Sequence, residues 1–175
     1  MLLIQFTGLS GAGKTTLALA VKEKCARRNI PLEVIDGDEC RKTISKDLGF
    51  TRKDREENIR RLGVLANSYR QKASVSIIAA INPFETSREE LRQLYNAPVV
   101  WIDCHIKSLI ARDTKGLYRR ALLPEYDIGK LRNLSGINDF FEPPAEAELI
   151  IKTDKESIEE SAGKIYSFIL EKLGH

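Results

Sequence analysis

Short apolar runs alternate along this chain with longer stretches of helical period. The runs are Leu2–Phe6, Leu32–Ile35, Val75–Ala80, Val99–Ile102 and Leu149–Ile151. They read as buried strands. Between them the pattern predicts helices over Lys14–Arg28, Glu39–Asp47, Lys53–Lys72, Ser87–Tyr95, Lys107–Arg112 and Lys155–Leu173. Strands alternating with helices predict an α/β fold of three α/β/α layers, with a five-stranded parallel sheet covered on both faces. In the last helix Ile158, Ala162, Ile165, Ile169 and Leu173 form one apolar stripe, which should cover one face of the sheet. The stretch from Thr114 to Glu148 breaks the pattern. It has little periodicity and carries Lys115, Arg119, Arg120, Lys130 and Arg132. Loops of this length in compact domains are usually functional or disordered, so a basic flap closing on phosphates, with a lid over about residues 114–141, is the reading, and a plain surface excursion is the alternative.

Composition narrows the class. With 175 residues, 42% hydrophobic and 30% charged, the chain suits one folded domain spanning 1–175, and no repeat or linker divides it. No apolar run approaches the ~20 residues that span a bilayer, and MLLIQF is too short for a secretory core, so a cytoplasmic protein without a membrane partner is expected. The net charge of +3 is too small to imply a nucleic-acid partner. Cys25, Cys40 and Cys104 make no CxxC pair and read as buried small hydrophobes, and His105 and His175 form no metal cluster with them.

The chemistry starts at Gly8-Leu9-Ser10-Gly11-Ala12-Gly13-Lys14-Thr15-Thr16, which satisfies G-x-x-x-x-G-K-[ST] between a strand and a helix. Glycines let successive backbone N–H groups turn onto phosphate oxygens, and the helix N-terminus adds its dipole. Lys14 reaches the β- and γ-phosphates and Thr15 offers a hydroxyl to Mg²⁺, so ATP with Mg²⁺ is the expected ligand.

The acceptor side is read from strand ends, where parallel sheets present ligands. The second strand runs into Asp36-Gly37-Asp38-Glu39-Cys40-Arg41. One aspartate could take a hydroxyl proton and the other orient metal-bound water; the alternative is a helix cap before a first-turn acid, since Asp38 precedes a helical segment. Thr51 and Asp54 resemble a capping box. Steps of about 100° from Arg55 put Ile59, Leu62, Ala66 and Tyr69 on the face to which Arg55 points, with Asn58 at its edge. An inward arginine needs a partner, either an anionic substrate or Asp36 or Asp38. The third strand ends at Ile81-Asn82-Pro83-Phe84 and carries no aspartate, so the metal must rely on Asp36 or Asp38. That favours a small-molecule kinase over a motor or switch.

Taken in order, GLSGAGKTT, DGDECR, LGFTRKDREENIRR, RDTKGLY and LSGINDFFEPP resemble the adenylylsulfate kinases over nearly the whole chain. The resemblance implies transfer of the γ-phosphate of ATP to the 3′-hydroxyl of adenosine 5′-phosphosulfate, for sulfate activation, by a homodimer. It implies that Lys14 and Thr15 bind ATP·Mg²⁺, that Asp36 is the base at the 3′-hydroxyl, and that Asp38 supports the metal. Arg41, Arg55 and Asn58 would bind the acceptor nucleotide, Phe50 would flank its purine, Lys115 would come from the lid, and Arg112 would pack near the ATP adenine. Three departures lie on the acceptor side. Asn82 stands where the family usually has a serine, proposed in bacterial relatives to be phosphorylated, so direct in-line transfer is implied. Leu134 replaces an aromatic residue expected to stack on the acceptor base. The spacer Leu122–Gly129 is longer than usual. A paralogous kinase acting on another small nucleotide, such as cytidine diphosphoramidate, is the alternative. A nucleic-acid end kinase is disfavoured because Glu56 and Glu57 interrupt the basic residues of 52–72, and a non-catalytic ATP sensor is disfavoured by the intact Lys14, Thr15 and Asp36.

Overall fold

A computed structural model describes residues 1–69 and 72–174. Arg70 and Gln71, inside the predicted Lys53–Lys72 helix, and His175 lie outside the described residues. The strands are β1 (Leu2–Thr7), β2 (Leu32–Asp36), β3 (Val75–Ala79), β4 (Val99–Asp103) and β5 (Leu149–Lys152). All pair in parallel in the order β2-β3-β1-β4-β5. Each predicted run is a strand within a residue at either end, because a fully buried parallel strand carries its own apolar signal.

The helices are α1 (Lys14–Ala26), α2 (Gly37–Lys42), α3 (Arg52–Ser68), α4 (Glu85–Tyr95), α5 (Ile106–Arg112), α6 (Leu117–Ala121) and α7 (Ile158–Leu173). One core joins α1 and α7 to Ile4, Phe6 and Val100 of the sheet, and a second joins Leu62 of α3 and Leu91 of α4 to Leu3, Ile35 and Ile78 on the opposite face. These are the three expected layers. β1 lies at the centre, with β3 and then β2 on one side and β4 and then β5 on the other, so the chain crosses over β1 on its way from β3 to β4. That change of side opens a crevice at the carboxyl ends of the strands.

Several boundaries differ from the expectation. α2 begins two residues earlier, because the Asp36 side chain accepts hydrogen bonds from the Asp38 and Glu39 N–H groups and caps it. The cap is therefore Asp36, and Asp38 is the first-turn acid. α2 also stops at Lys42, short of Asp47. The Thr51–Asp54 capping box forms as predicted. In α7 Ile158 is 55% exposed although it falls on the apolar stripe; it opens the helix, next to the Ser157–Glu160 capping box and beyond the reach of the sheet. All three cysteines are buried and free.

The Thr114–Glu148 stretch holds α6 and is otherwise irregular. Most of its basic side chains do not face a phosphate site. Lys130 and Arg132 pair with Glu125, and Arg120 donates to the Gly129 carbonyl. Only Lys115 of those five lines the nucleotide cleft.

Candidate active site

The phosphate loop follows β1 at the sheet's carboxyl edge. Gly8 has φ +148°, and a Cβ there would lie 2.2 Å from the Ile102 carbonyl oxygen, so no other residue fits without moving β4. Gly13, at φ +97°, begins α1 with no side-chain cap, which leaves the first N–H groups of the helix free for an anion. Ala12 is fully buried, and its carbonyl accepts from the Thr153 hydroxyl. The buried Tyr118 of α6 donates its hydroxyl to the Ser10 carbonyl at 2.8 Å. Tyr118 and Thr153 were not singled out by the sequence; both hold the loop from segments more than a hundred residues away.

Lys14 is folded into its own loop, donating to the Gly8 and Leu9 carbonyls at 2.9 and 2.8 Å. Burial pushes its pKa down to about 8, partly opposed by Asp38. Thr15 donates its hydroxyl to Asp36 Oδ2 at 2.5 Å. A hydroxyl and a carboxylate beside a phosphate cradle are hard oxygen donors of the kind Mg²⁺ takes, and that ion commonly uses one or two carboxylates and fills its other positions with water and phosphate oxygens. The residues therefore fit Mg²⁺. Among the described residues no group of three His, Cys, Asp or Glu side chains could hold a metal by itself.

Lys14, Thr15, Thr16, Ser10, Gly11 and Gly13 line a cleft of about 200 Å³ together with Asp36, Asp38 and Lys115. Lys115 is ion-paired with Asp38 across it. Partial burial would raise the Asp38 carboxyl, but Lys115, with Lys14 and Arg41 behind it, outweighs burial and holds it below the usual carboxylate range. Arg112 lies beside this cleft, next to Ser10 and Gly11, and donates to the Thr153 carbonyl at 3.0 Å.

A second cleft adjoins the first. Arg41, Phe50, Arg55, Asn58, Ile81 and Asn82 line it, and Asp38, Ala80 and Ile81 are common to both. The Arg41 guanidinium lies 4.6 Å from the centre of the Phe50 ring and donates to the Gly49 carbonyl. Asn58 is 5% exposed, and among the described residues its side-chain oxygen has no hydrogen-bond partner.

Three predicted residues sit differently from the expectation. Arg55 points inward, but its ionic partner is Asp139, at 2.8 Å, and not Asp36 or Asp38. Asp139 comes from the irregular stretch, 84 residues away, and although it lies within the LSGINDFFEPP segment nothing in the sequence pairs it with Arg55. Leu134 is 4% exposed and packs into the α1–α7 core; the structure does not bring it to the second cleft. Asn82 turns its side chain inward, donating to Gln5 Oε1 at 2.9 Å, and its backbone φ of +43° is one that asparagine tolerates.

A family model for adenylylsulphate kinase matches residues 1–152. The chain belongs to that family. It is 42% identical over 158 residues to an adenylyl-sulfate kinase of Synechococcus sp. (strain JA-3-3Ab), covering 90% of this chain and 87% of that one. It is also 42% identical over 173 residues to a probable bifunctional SAT/APS kinase 2 of Sorangium cellulosum, covering 98% of this chain but only 29% of the longer protein's length. Among solved structures, the Mycobacterium tuberculosis APS kinase in complex with AMPPNP and APS is similar at a TM-score of 0.89 and 30% identity, over 96% of both chains. Family membership agrees with the two clefts that meet at Asp38. Among the described residues no helix is long and apolar enough to cross a membrane.

Proposed function

We propose that this chain transfers the γ-phosphate of ATP to the 3′-hydroxyl of adenosine 5′-phosphosulfate, releasing ADP and 3′-phosphoadenosine 5′-phosphosulfate. The observation that carries this reading is the junction of two clefts at Asp38, one built for a triphosphate and one lined by Arg41 and Arg55. The solved relative at 30% identity is described with APS and an ATP analogue together, which supports two nucleotides in the same places.

The residues would act as follows. ATP phosphates replace the Gly8 and Leu9 carbonyls as partners of Lys14, and the charge that burial disfavours is restored by an anion. Thr15 and Asp36 would hold Mg²⁺, which when bound neutralises charge on the β- and γ-phosphates. Asp36 is heavily committed, to Thr15 through one oxygen and to two N–H groups through the other. The Asp38 carboxylate is bound, among the described residues, only by Lys115, and it faces both clefts. That asymmetry favours exchanging the roles read from sequence: Asp36 orients the metal, and Asp38 receives the hydrogen bond of the 3′-hydroxyl. As the γ-phosphate draws Lys115 away, Asp38 is freed to do so. Phosphoryl transfer needs mainly positioning and charge neutralisation, so a weakly basic carboxylate suffices.

On this reading residues 1–175 act as one kinase domain with residues 114–141 as its lid, in sulfate assimilation. The working form is a homodimer, which light scattering on the purified protein tests. The decisive experiment measures ADP release with adenosine phosphosulfate and with pyrimidine nucleotides as acceptors. Turnover with the former is expected; turnover on a pyrimidine nucleotide with none on adenosine phosphosulfate would overturn the assignment.

A further inference from the structure

Arg88 of α4 is fully buried, yet it takes no part in the phosphate loop and lines neither cleft. Its guanidinium joins three segments. Nη1 donates to the Asn82 carbonyl at 2.8 Å, Nη2 donates to the Glu142 carbonyl at 2.7 Å, and Nε and Nη2 both donate to Glu85 Oε2, at 3.0 and 2.6 Å. The backbone of Arg88 is held as well, because Gln5 of β1 donates its amide to the Arg88 and Ala97 carbonyls. The other end of the Gln5 side chain accepts from Asn82 Nδ2. Asn82 is thus gripped by Arg88 at its carbonyl and by Gln5 at its side chain, while Thr7 donates a second hydrogen bond to the same carbonyl.

These bonds meet at the wall of the acceptor cleft. Asn82 and Pro83 line that cleft, and Asn82 holds a left-handed backbone that turns its carbonyl inward. Glu142 is three residues beyond Asp139, the partner of Arg55 on the opposite wall. The Glu142 N–H donates to the Pro83 carbonyl, and its carboxylate accepts from the Glu85 N–H. A buried ion pair adds little stability over apolar packing of the same volume. Its value here is geometric: a planar guanidinium presents donors in several fixed directions, which an ammonium cannot.

We propose that Arg88 is a positioning residue for the acceptor, fixing the Asn82–Pro83 wall relative to the chain that returns through Asp139 to Glu142. It acts through those segments and touches no substrate. The network meets the ATP cradle only at its edge, through Thr7, the residue before Gly8, and Arg88 itself bonds no residue of the phosphate loop, so the acceptor should respond more strongly than ATP to its loss.

This inference rests on the assignment of the second cleft to the acceptor. The test is steady-state kinetics of Arg88→Lys with each substrate varied in turn. The expected result is an acceptor KM raised about tenfold, with the ATP KM changed less than about twofold. Gln5→Met, of nearly equal volume, cuts the grip on Asn82 from the other side and should give the same split; it decides the matter if Arg88→Lys does not fold. Parallel rises in both KM values, or an unmoved acceptor KM in a folded variant, would overturn the positioning role while leaving the functional assignment intact. Absence of adenosine-phosphosulfate turnover in the wild-type enzyme would defeat that assignment, and this inference with it.

Discussion

Lys115, in the turn before α6, is ion-paired with Asp38 across the mouth of the nucleotide cleft. The pair bridges 77 residues of sequence and ties the irregular stretch to the residue that both clefts share. It gives Lys115 two prospective partners, the Asp38 carboxylate and a bound phosphate. Lys115→Met should lower turnover by roughly a hundredfold, because a cation is lost where charge develops during transfer. A steady-state assay at saturating ATP checks this, and unchanged turnover would remove Lys115 from the reaction.

Asp36 and Asp38 should fail in different ways. Asp36→Asn weakens the metal site, so its turnover should recover partly as Mg²⁺ is raised. Asp38→Asn should lose on the order of 10²-fold or more in turnover at any Mg²⁺ concentration, with binding of an ATP analogue largely kept. Mg²⁺ titrations of both variants separate the roles. The reverse pattern would restore Asp36 as the residue at the 3′-hydroxyl.

ATP binding should weaken in alkali. The free protein holds Lys14 with a pKa of about 8, lowered by burial. A phosphate favours the ammonium form, so the complex has the higher pKa and binding takes up a proton once pH exceeds about 8. Affinity is therefore complete below that pH and falls above it, by about tenfold from pH 7 to pH 9. Calorimetric titration with a non-hydrolysable analogue at the two values measures this, and a flat profile would sink it.

Leu134→Phe separates sequence reading from structure. If position 134 faced the acceptor base, the added ring would tighten binding. Leu134 is instead packed in the core, so the larger side chain should overpack it and cost about 1–3 kcal/mol of stability, with no gain in acceptor KM. Urea denaturation together with the acceptor KM decides between the two.

Much of this protein is local in origin and so was legible in its sequence. The five strands announce themselves as apolar runs, and α3 as a capping box followed by a helical stripe. The phosphate loop is a contiguous motif whose glycines and lysine act on a single ligand group. The face on which Arg55 and Asn58 lie also follows from helical period alone. Residues that work through distant partners could not be read this way. The predicted face of Arg55 was right, but its protein partner is neither Asp36 nor Asp38, because Asp139 reaches it when the irregular stretch folds back. Nothing in the sequence marks Gln5 or Arg88, yet both are fully buried and bonded to the cleft wall. Leu134 looked like a cleft residue and lies inside. Periodicity and motif spacing determined which segments become strands and helices and which loop grips phosphate. Only the tertiary structure decided which charges are buried, with what partners, and how the two clefts meet at Asp38, since burial and long-range hydrogen bonds depend on packing that no short stretch of chain contains.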